Sequence, residues 1–466
     1  MKLHFYGAAK EVTGSRHIVE VAGKKILMDC GLYQGRRKDE VDRNKNFGFD
    51  PKEIDIVIIS HAHIDHSGNL PNLVKQGFNG PIYCTKPTAE LLAYMLLDSA
   101  HIQEVEVEYL NEKKMAAGEE LVEPLYVTED VHATLPLIRP VSYEECLMIT
   151  PEVSACFHEA GHIIGSAITV LTMKENGVEK TLAYTGDLGR VNMPLIQNPY
   201  QVEKVDYLMI ESTYGNRLHD SLNDAEKDLE DTVKKTVARG GKILIPAFSL
   251  GRTQEIIYAL HKLSDEGRIP ENLPIFVDSP LSVNLTQVFR ANPQVLDQET
   301  HTDFLDKNED PFKFNLLKYV TSVEESKALN NLNGPAIIIS ASGMMEHGRI
   351  LHHLKNNISD HKNTLIVVGY QAANTLGRKI VDKQKEVKIF GKPVHVGMQI
   401  KIMNAYSAHA DKNDLLDYIS KVDGLKKIIL VHGEEDSQGA LKQSLLEAGR
   451  KDDEVFIPNF GDTLDL

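Results

Sequence analysis

The sequence predicts an α/β protein in which a parallel strand–helix block interrupts a β-rich domain that the C-terminus then completes. Three observations predict it. From Met1 to about Asp206, short β-rich runs alternate with turns and occasional helices. From Glu211 to about His395 the rhythm becomes strand followed by helix, the pattern of a parallel sheet. Apolar strand runs then return, and Lys427 to Val431 ends at His432-Gly433. With no low-complexity linker between these parts, the strand–helix block reads as an insertion: residues 1–208 begin the first domain, 209–395 form the insert, and 396–466 complete the first domain.

The elements follow in order. His17 to Val21 and Lys25 to Asp29 are strand-like, and Ile54-Asp55-Ile56-Val57-Ile58-Ile59 reads as a buried strand. Asn69-Leu70-Pro71 and the apolar residues after it look like the first turns of a helix, where proline is tolerated. Ile168 to Leu171 and Thr181 to Tyr184 are further strands. The insert contains a loose echo. Lys242 to Ser249, Ala336 to Ser342 and Leu365 to Tyr370 each lead to a Gly-Arg pair (Gly251-Arg252, Gly348-Arg349, Gly377-Arg378) and a helical stretch.

With 466 residues the chain has room for two or three domains. No apolar run is long enough to span a bilayer, and Met1 to Gly7 is too short and too soon broken by glycine for a secretory signal, so the expectation is a cytoplasmic protein without a membrane partner. Cys30, Cys84, Cys146 and Cys156 are scattered without a CxxC and read as reduced thiols. The net charge of −16 argues against broad, charge-driven nucleic-acid binding, although a local basic groove or bound cations would escape that count. The acidic clusters Glu104 to Glu108 and Asp224 to Asp231 read as solvated faces, and Arg36-Arg37-Lys38, followed at once by Asp39-Glu40, as surface.

His61-Ala62-His63-Ile64-Asp65-His66 leaves the end of the buried strand on a short loop. Imidazole and carboxylate are the ligands that hold zinc and its neighbours. Three more candidates stand at strand ends beside glycines: His162 after Gly161, Asp187 after Gly186, and His432 before Gly433. A carboxylate has two oxygens and can bridge two metals. His61, His63, His162 and Asp187 are therefore assigned to one ion, and Asp65, His66, Asp187 and His432 to a second.

His158-Glu159-Ala160-Gly161-His162 also matches HExxH, the zinc-protease pattern. That chemistry requires a helix, and Gly161, Ile163, Ile164 and Gly165 make a poor one. His158 is expected to be a supporting or packing residue. Asp29, after its strand, either hydrogen-bonds a ligand loop or stabilises a turn.

The HxHxDH run, the later His162, Gly186-Asp187 and the terminal His432 resemble the metallo-β-lactamase fold. Glu211-Ser212-Thr213-Tyr214-Gly215 resembles the acidic motif that opens a β-CASP insertion, Ala405-Tyr406-Ser407-Ala408-His409-Ala410-Asp411 its second motif, and Leu430-Val431-His432-Gly433-Glu434 its third. Histidine in the third motif is the form found in RNA-processing members. The chain most resembles the bacterial and archaeal relatives of the cleavage and polyadenylation endonuclease, and begins directly with the hydrolase domain. The resemblance implies an αββα sandwich capped by a parallel α/β domain, with the site in the cleft between them. It also implies two zinc ions, with manganese or iron as alternatives, and a ribonuclease acting on single-stranded RNA. Endonucleolytic cleavage is expected, with 5′-to-3′ exonuclease action as an accompanying option. A homodimer is the one protein partner considered.

A pair of divalent ions about 3.5–4 Å apart activates a bridging water and steadies an in-line displacement. Asp65 is counted among the catalytic residues as well as the ligands. His409 is the candidate proton donor to the leaving oxygen, with Glu211 to orient it and keep it protonated; a buried structural pair is the other reading. Arg252, Arg349 and Arg378 could hold RNA phosphates, with Ser340, Ser342 and Gly343 cradling one at a strand end; an ion pair within the insert is the plainer role for each arginine. The competing functions are a noncatalytic RNA-processing scaffold, a DNA nuclease or other metallo-hydrolase of the same fold, and a flavodiiron-type oxidoreductase. A scaffold would have lost ligands, and an oxidoreductase would favour Glu in the first cluster.

Overall fold

The computed structural model describes all residues except Arg36, Asp220, Ser221, Tyr370, Ala372, Ala373, Asn374, Asn404 and Tyr406, and for Arg37, Lys38, Leu222 and Asn223 the backbone alone. Tyr370 of the third echo strand, Tyr406 of the second motif and Arg36 of the basic run thus lie outside the described residues. The chain forms two compact units: residues 1–192, 196–218 and 409–466, and residues 193–195 and 219–408.

The first unit contains two seven-stranded sheets. One runs in the order Thr463–Asp465, Lys2–Phe5, His17–Val21, Lys24–Met28, Ile56–Ile58, Ile82–Thr85, Ile138–Val141. The other runs Val455–Phe456, Lys427–Val431, Tyr207–Glu211, Val178–Tyr184, Ala167–Glu175, Val153–Glu159, Cys146–Thr150. Alternate residues of the two sheets meet in one core: Leu3, Phe5, Val19, Ile26 and Ile58 against Phe157, Leu171, Leu182, Met209 and Ile429. The intervening residues of the second sheet, Ile168, Leu208, Ile210, Ile428 and Leu430, face the other way onto helices Lys412–Ser420 and Glu435–Glu447, which bury Leu415, Ile419, Leu441 and Leu445. Helix Lys86–Ala117 packs on Ile82–Thr85 and Ile138–Val141. The layers are αββα, as the resemblance implied.

Tyr207–Glu211 and Lys427–Val431 run parallel as interior strands of their sheet, and both are almost entirely buried, which explains their unbroken apolar sequences. Their register pairs Glu211 with Val431, and Tyr184 lies opposite Met209. Asp187, Glu211 and His432 therefore leave neighbouring strands at the same end.

The second unit holds a six-stranded, wholly parallel sheet in the order Leu317–Val320, Ile275–Asp278, Ile337–Ser340, Ile243–Pro246, Thr364–Val367, Gln399–Ile402. The three echo strands are its adjacent centre, and helices Arg252–Asp265, Ile350–Asn357 and Leu376–Val381 follow them.

Three expectations need correction. The insert does not end at residue 395: Gln399–Ile402 pairs with Thr364–Val367, so its sheet runs past that point, while Tyr207–Glu211 belongs to the other unit. A strand's apolar rhythm does not say which sheet it joins. The HxHxDH run is not all loop, because Ile64–Ser67 is a helical turn that carries Asp65 and His66. Cys146 and Cys156 are not both reduced; they are disulfide-bonded across paired antiparallel strands. As expected, His158 and Glu159 of the HExxH match do not lie on a helix: they belong to strand Val153–Glu159, without the helical context a zincin needs. Among the described residues, no helix is long and apolar enough to cross a membrane.

Candidate metal centre

Each candidate ligand stands just beyond a strand or on the turn that follows it. His61 Nε2 lies 3.1 Å from His63 Nδ1, and His162 Nε2 lies 3.2 Å from the same atom. Asp187 Oδ2 is 3.5 Å from both His61 Nε2 and His162 Nε2. Beside this group, His66 Nε2 and His432 Nε2 are 3.1 Å apart, and Asp65 Oδ2 is 3.5 Å from His432 Nε2. Asp187 Oδ1 is 3.2 Å from His66 Nε2 and 3.2 Å from His432 Nδ1. The two oxygens of one carboxylate thus face two neighbouring clusters, one of His61, His63, His162 and Asp187 itself, the other of Asp65, His66 and His432, and each cluster could hold a cation.

These donor atoms suit cations. Zinc–imidazole bonds of about 2.0–2.1 Å place tetrahedral ligands about 3.3 Å apart, close to the spacings between these ring nitrogens. Asp187 Oδ1 is buried and takes no well-formed hydrogen bond among the described residues, despite two ring nitrogens nearby. An orphaned acceptor of this kind is costly unless a positive charge satisfies it. Burial, then the positive field of His66, holds His61 well below the usual histidine range; burial brings His63 down to about 4. Both are therefore neutral and able to ligate. Burial disfavours the Asp187 carboxylate, but His432, His66 and His409 outweigh it and keep that group well below its usual range.

A supporting layer aims these ligands. Asp29 accepts from Ser60 N at 2.7 Å, His66 Nδ1 at 2.7 Å and Tyr184 OH at 2.6 Å, all fully buried. The protonated Nδ1 of His66 leaves Nε2 to face the cluster, so Asp29 holds the ligand loop as one of its two expected roles proposed. Ser60 Oγ reaches His61 Nδ1 at 3.0 Å. Ser166 Oγ accepts from His162 N at 3.1 Å and donates toward Glu159 at 3.3 Å; burial pushes the Glu159 carboxyl up to about 8. Thr213 Oγ1 donates to His432 O at 3.2 Å and lies 3.2 Å from His432 Nδ1. His158 bonds Glu144 at 2.8 Å and stacks on Tyr200, outside the cluster. Ser60, Thr213 and Tyr184 were missed by sequence reasoning. The available signal was their position within one or two residues of a ligand or motif acid, or at the end of the strand before Gly186-Asp187.

His409 Nδ1 lies 3.1 Å from both carboxylate oxygens of Glu211 and 3.8 Å from Asp187 Oδ2. Glu211 is fully buried and also accepts from Leu188 N at 2.7 Å; Ala410 N bonds Leu188 O at 2.8 Å, which fastens the His409 segment to the Asp187 loop. Burial pulls the His409 imidazole down, but Glu211 and Asp187 together raise it to about 9.

The six phosphate candidates all lie in the other unit. Ser340 Oγ donates to Asp278 O at 2.9 Å, and Ser342 Oγ to His347 O at 3.3 Å, with Gly343 next in the same turn. Arg349 joins the Ser340 group through Asp278 at 2.7 Å. Arg252 pairs with Glu255, and Arg378 with Asp382 at 3.0 Å, each on its own helix. All three arginines thus have the ion pair that was their plainer role.

Family models match three consecutive parts of the chain: a metallo-β-lactamase superfamily domain at residues 18–185, a β-CASP domain at 253–380, and a Zn-dependent metallo-hydrolase RNA specificity domain at 393–458. Ribonuclease TTHA0252 of Thermus thermophilus is 36% identical over 462 residues, 99% of each chain. The transcription termination factor FttA of Methanocaldococcus jannaschii is 32% identical over 93% of this chain and 67% of its own length. A solved protein of unknown function from Enterococcus faecalis V583 shares the fold, with a TM-score of 0.57 at 15% identity over 100% of this chain and 99% of the other.

Proposed function

The chain belongs to the β-CASP family of the metallo-β-lactamase superfamily, a family of divalent-metal hydrolases, and from that premise we propose that it is a ribonuclease cleaving phosphodiester bonds of single-stranded RNA with two metal ions, zinc in the first instance. The observation that carries the reading is the Asp187 carboxylate divided between two imidazole clusters, with the His409–Glu211 pair beside it. His61, His63, His162 and Asp187 would hold one ion, and Asp65, His66, His432 and Asp187 the other. A bound pair of divalent cations supplies water activation and charge neutralisation at a phosphodiester.

The chain's own residues supply the rest. Glu211 fixes the His409 ring through Nδ1 and favours its protonated form. His409 then delivers a proton to the leaving oxygen, the step that general acid catalysis needs near neutral pH. Cationic charge held by the neighbouring ligands would bring its pKa down from about 9 toward the working range. The scaffold alternative has no supporting observation, because all seven ligand positions keep ligating side chains.

The test is metal analysis of the purified protein beside cleavage of end-labelled single-stranded RNA and DNA. His409→Ala should remove most RNA cleavage, on the order of 10²-fold or more, with metal content intact; loss of metal would make the residue a ligand instead. Asp187→Ala should lower occupancy of both ions, and full retention would end its bridging role.

A further inference from the structure

The net charge of −16 hides one local reversal of sign. Between residues 378 and 395 stand six cations and two acids. Arg378 is taken up by Asp382. Lys379, Lys383, Lys385, Lys388 and Lys392 are exposed, and none forms an ion pair among the described residues. They surround the hairpin Glu386–Ile389/Lys392–His395, whose inner face buries Val387 and Ile389. Lys388 lies on the opposite, outward face, and Phe390 at the tip is 50% exposed. The Phe390 ring sits 4.7 Å from the exposed His352 imidazole of helix Ile350–Asn357, and the fields of Lys355 and Lys327 both act on that imidazole. Lys392, opposite Ile389, shares the inner face at its exposed edge, so cations without an ion pair among the described residues stand on both faces of the hairpin, around an exposed pair of flat rings.

Lysines that serve only solubility are usually interspersed with acids, as along Asp224 to Lys235 in this chain. Exposed aromatic rings among unpaired cations are instead the recurring arrangement for single-stranded nucleic acid, where phosphates meet the charges and bases stack on the rings. We propose that this hairpin patch (Lys383, Lys385, Lys388, Lys392, Phe390 and His352) is an RNA-binding exosite that holds single-stranded RNA through side chains other than the metal ligands. The proposal rests on the ribonuclease reading. It assigns the patch affinity and no part in bond cleavage, because none of its residues is a ligand or proton donor.

The test uses the full-length, metal-loaded chain. One variant carries Lys383→Gln, Lys385→Gln, Lys388→Gln and Lys392→Gln together, and a second carries Phe390→Ala; unchanged melting of each confirms folding. Binding of a fluorescent single-stranded RNA of about 20 nucleotides is followed across salt concentration, and hydrolysis of bis(p-nitrophenyl) phosphate, which has no polynucleotide strand for the patch to hold, reports on the metal site. The quadruple variant should bind at least tenfold more weakly and lose about 3 from the slope of log affinity against log salt, since each single-strand phosphate contact contributes about 0.7. Phe390→Ala should lose about tenfold in affinity with the salt slope kept. Both should hydrolyse the small ester at the wild-type rate. Unchanged RNA affinity and slope, in a wild type that does bind and cleave RNA, would overturn the exosite, and would be the result if the patch served an acidic protein. A wild type that hydrolyses the small ester but neither binds nor cleaves RNA would overturn the ribonuclease reading instead.

Discussion

Thr213 illustrates how much of the centre depends on single hydroxyls. Its Oγ1 donates to His432 O and lies 3.2 Å from His432 Nδ1, with Asp187 Oδ1 also 3.2 Å from that nitrogen. With its own proton given to His432 O, Thr213 Oγ1 can accept from Nδ1, which favours the proton there and leaves the lone pair on Nε2, which faces His66 and Asp65. Thr213→Val should therefore weaken metal affinity about 10–100-fold in a chelator competition titration, while Thr213→Ser keeps it; equal loss in both would mean the methyl group matters and the hydroxyl does not. Strain accompanies this placement: His432 has φ +48° and Asp29 φ +60°, conformations that side chains seldom adopt without compensating bonds. In the other unit, buried Asp278 accepts from His353 Nε2 at 2.6 Å, Ser326 Oγ at 2.6 Å and Arg349 Nη1 at 2.7 Å. Burial opposes its ionisation, yet these donors hold its pKa below the usual value. A depressed carboxylate stabilises the fold above the unfolded-state pKa and loses that contribution as pH falls through the folded one. Asp278→Asn should thus cost about 3 kcal/mol near pH 7, and the gap in melting temperature from wild type should close as pH drops below about 4. A pH-independent gap would show that packing, and not the charge, is lost.

At the scale of elements, strand ends make the site, and close backbone contacts set where those ends lie. A Cβ on Gly31 would come 1.6 Å from the Asp65 carbonyl oxygen, and Ser15 N bonds that same oxygen at 2.8 Å. The helical turn Ile64–Ser67 can press against residues 30–32 only because position 31 carries no side chain. Gly31→Ala should displace the turn with Asp65 and His66, lowering the melting temperature and the occupancy of the second metal position more than the first. Equal loss at both would point to general misfolding. Much at this scale was legible in the sequence. The buried strand before His61, the proline-started helix now seen as Leu70–Lys75, and the non-helical HExxH all followed from apolar runs, proline and glycine. The helical turn inside HxHxDH did not, because four residues carry too little periodicity to distinguish a turn from a loop.

Across the whole molecule, the candidate centre is assembled from segments around residues 61–66, 162, 187, 211, 409 and 432, so metal held there would tie the two ends of the chain's first unit together. Ligands that bind only the folded state stabilise it by mass action, about 4 kcal/mol at a thousandfold excess over Kd. Chelation should therefore lower the melting temperature, and adding back zinc or manganese should restore it; insensitivity to chelator would deny the ions any structural role.

The candidate ligands and their proposed division into two groups were read from the sequence, because metal chemistry admits few residue types and local spacing on one loop limits which can share an ion. So was the strand–helix rhythm of the insert, which follows from apolar periodicity. Only the tertiary structure decided which sheet Gln399–Ile402 joins, that Asp29, Thr213 and Tyr184 aim the ligands, that Cys146 meets Cys156, and that the candidate phosphate arginines are already paired. The reason is physical: propensity and residue chemistry are properties of a short segment, whereas a hydrogen bond, an ion pair or a strand register depends on a partner that may stand hundreds of residues away and is selected by packing.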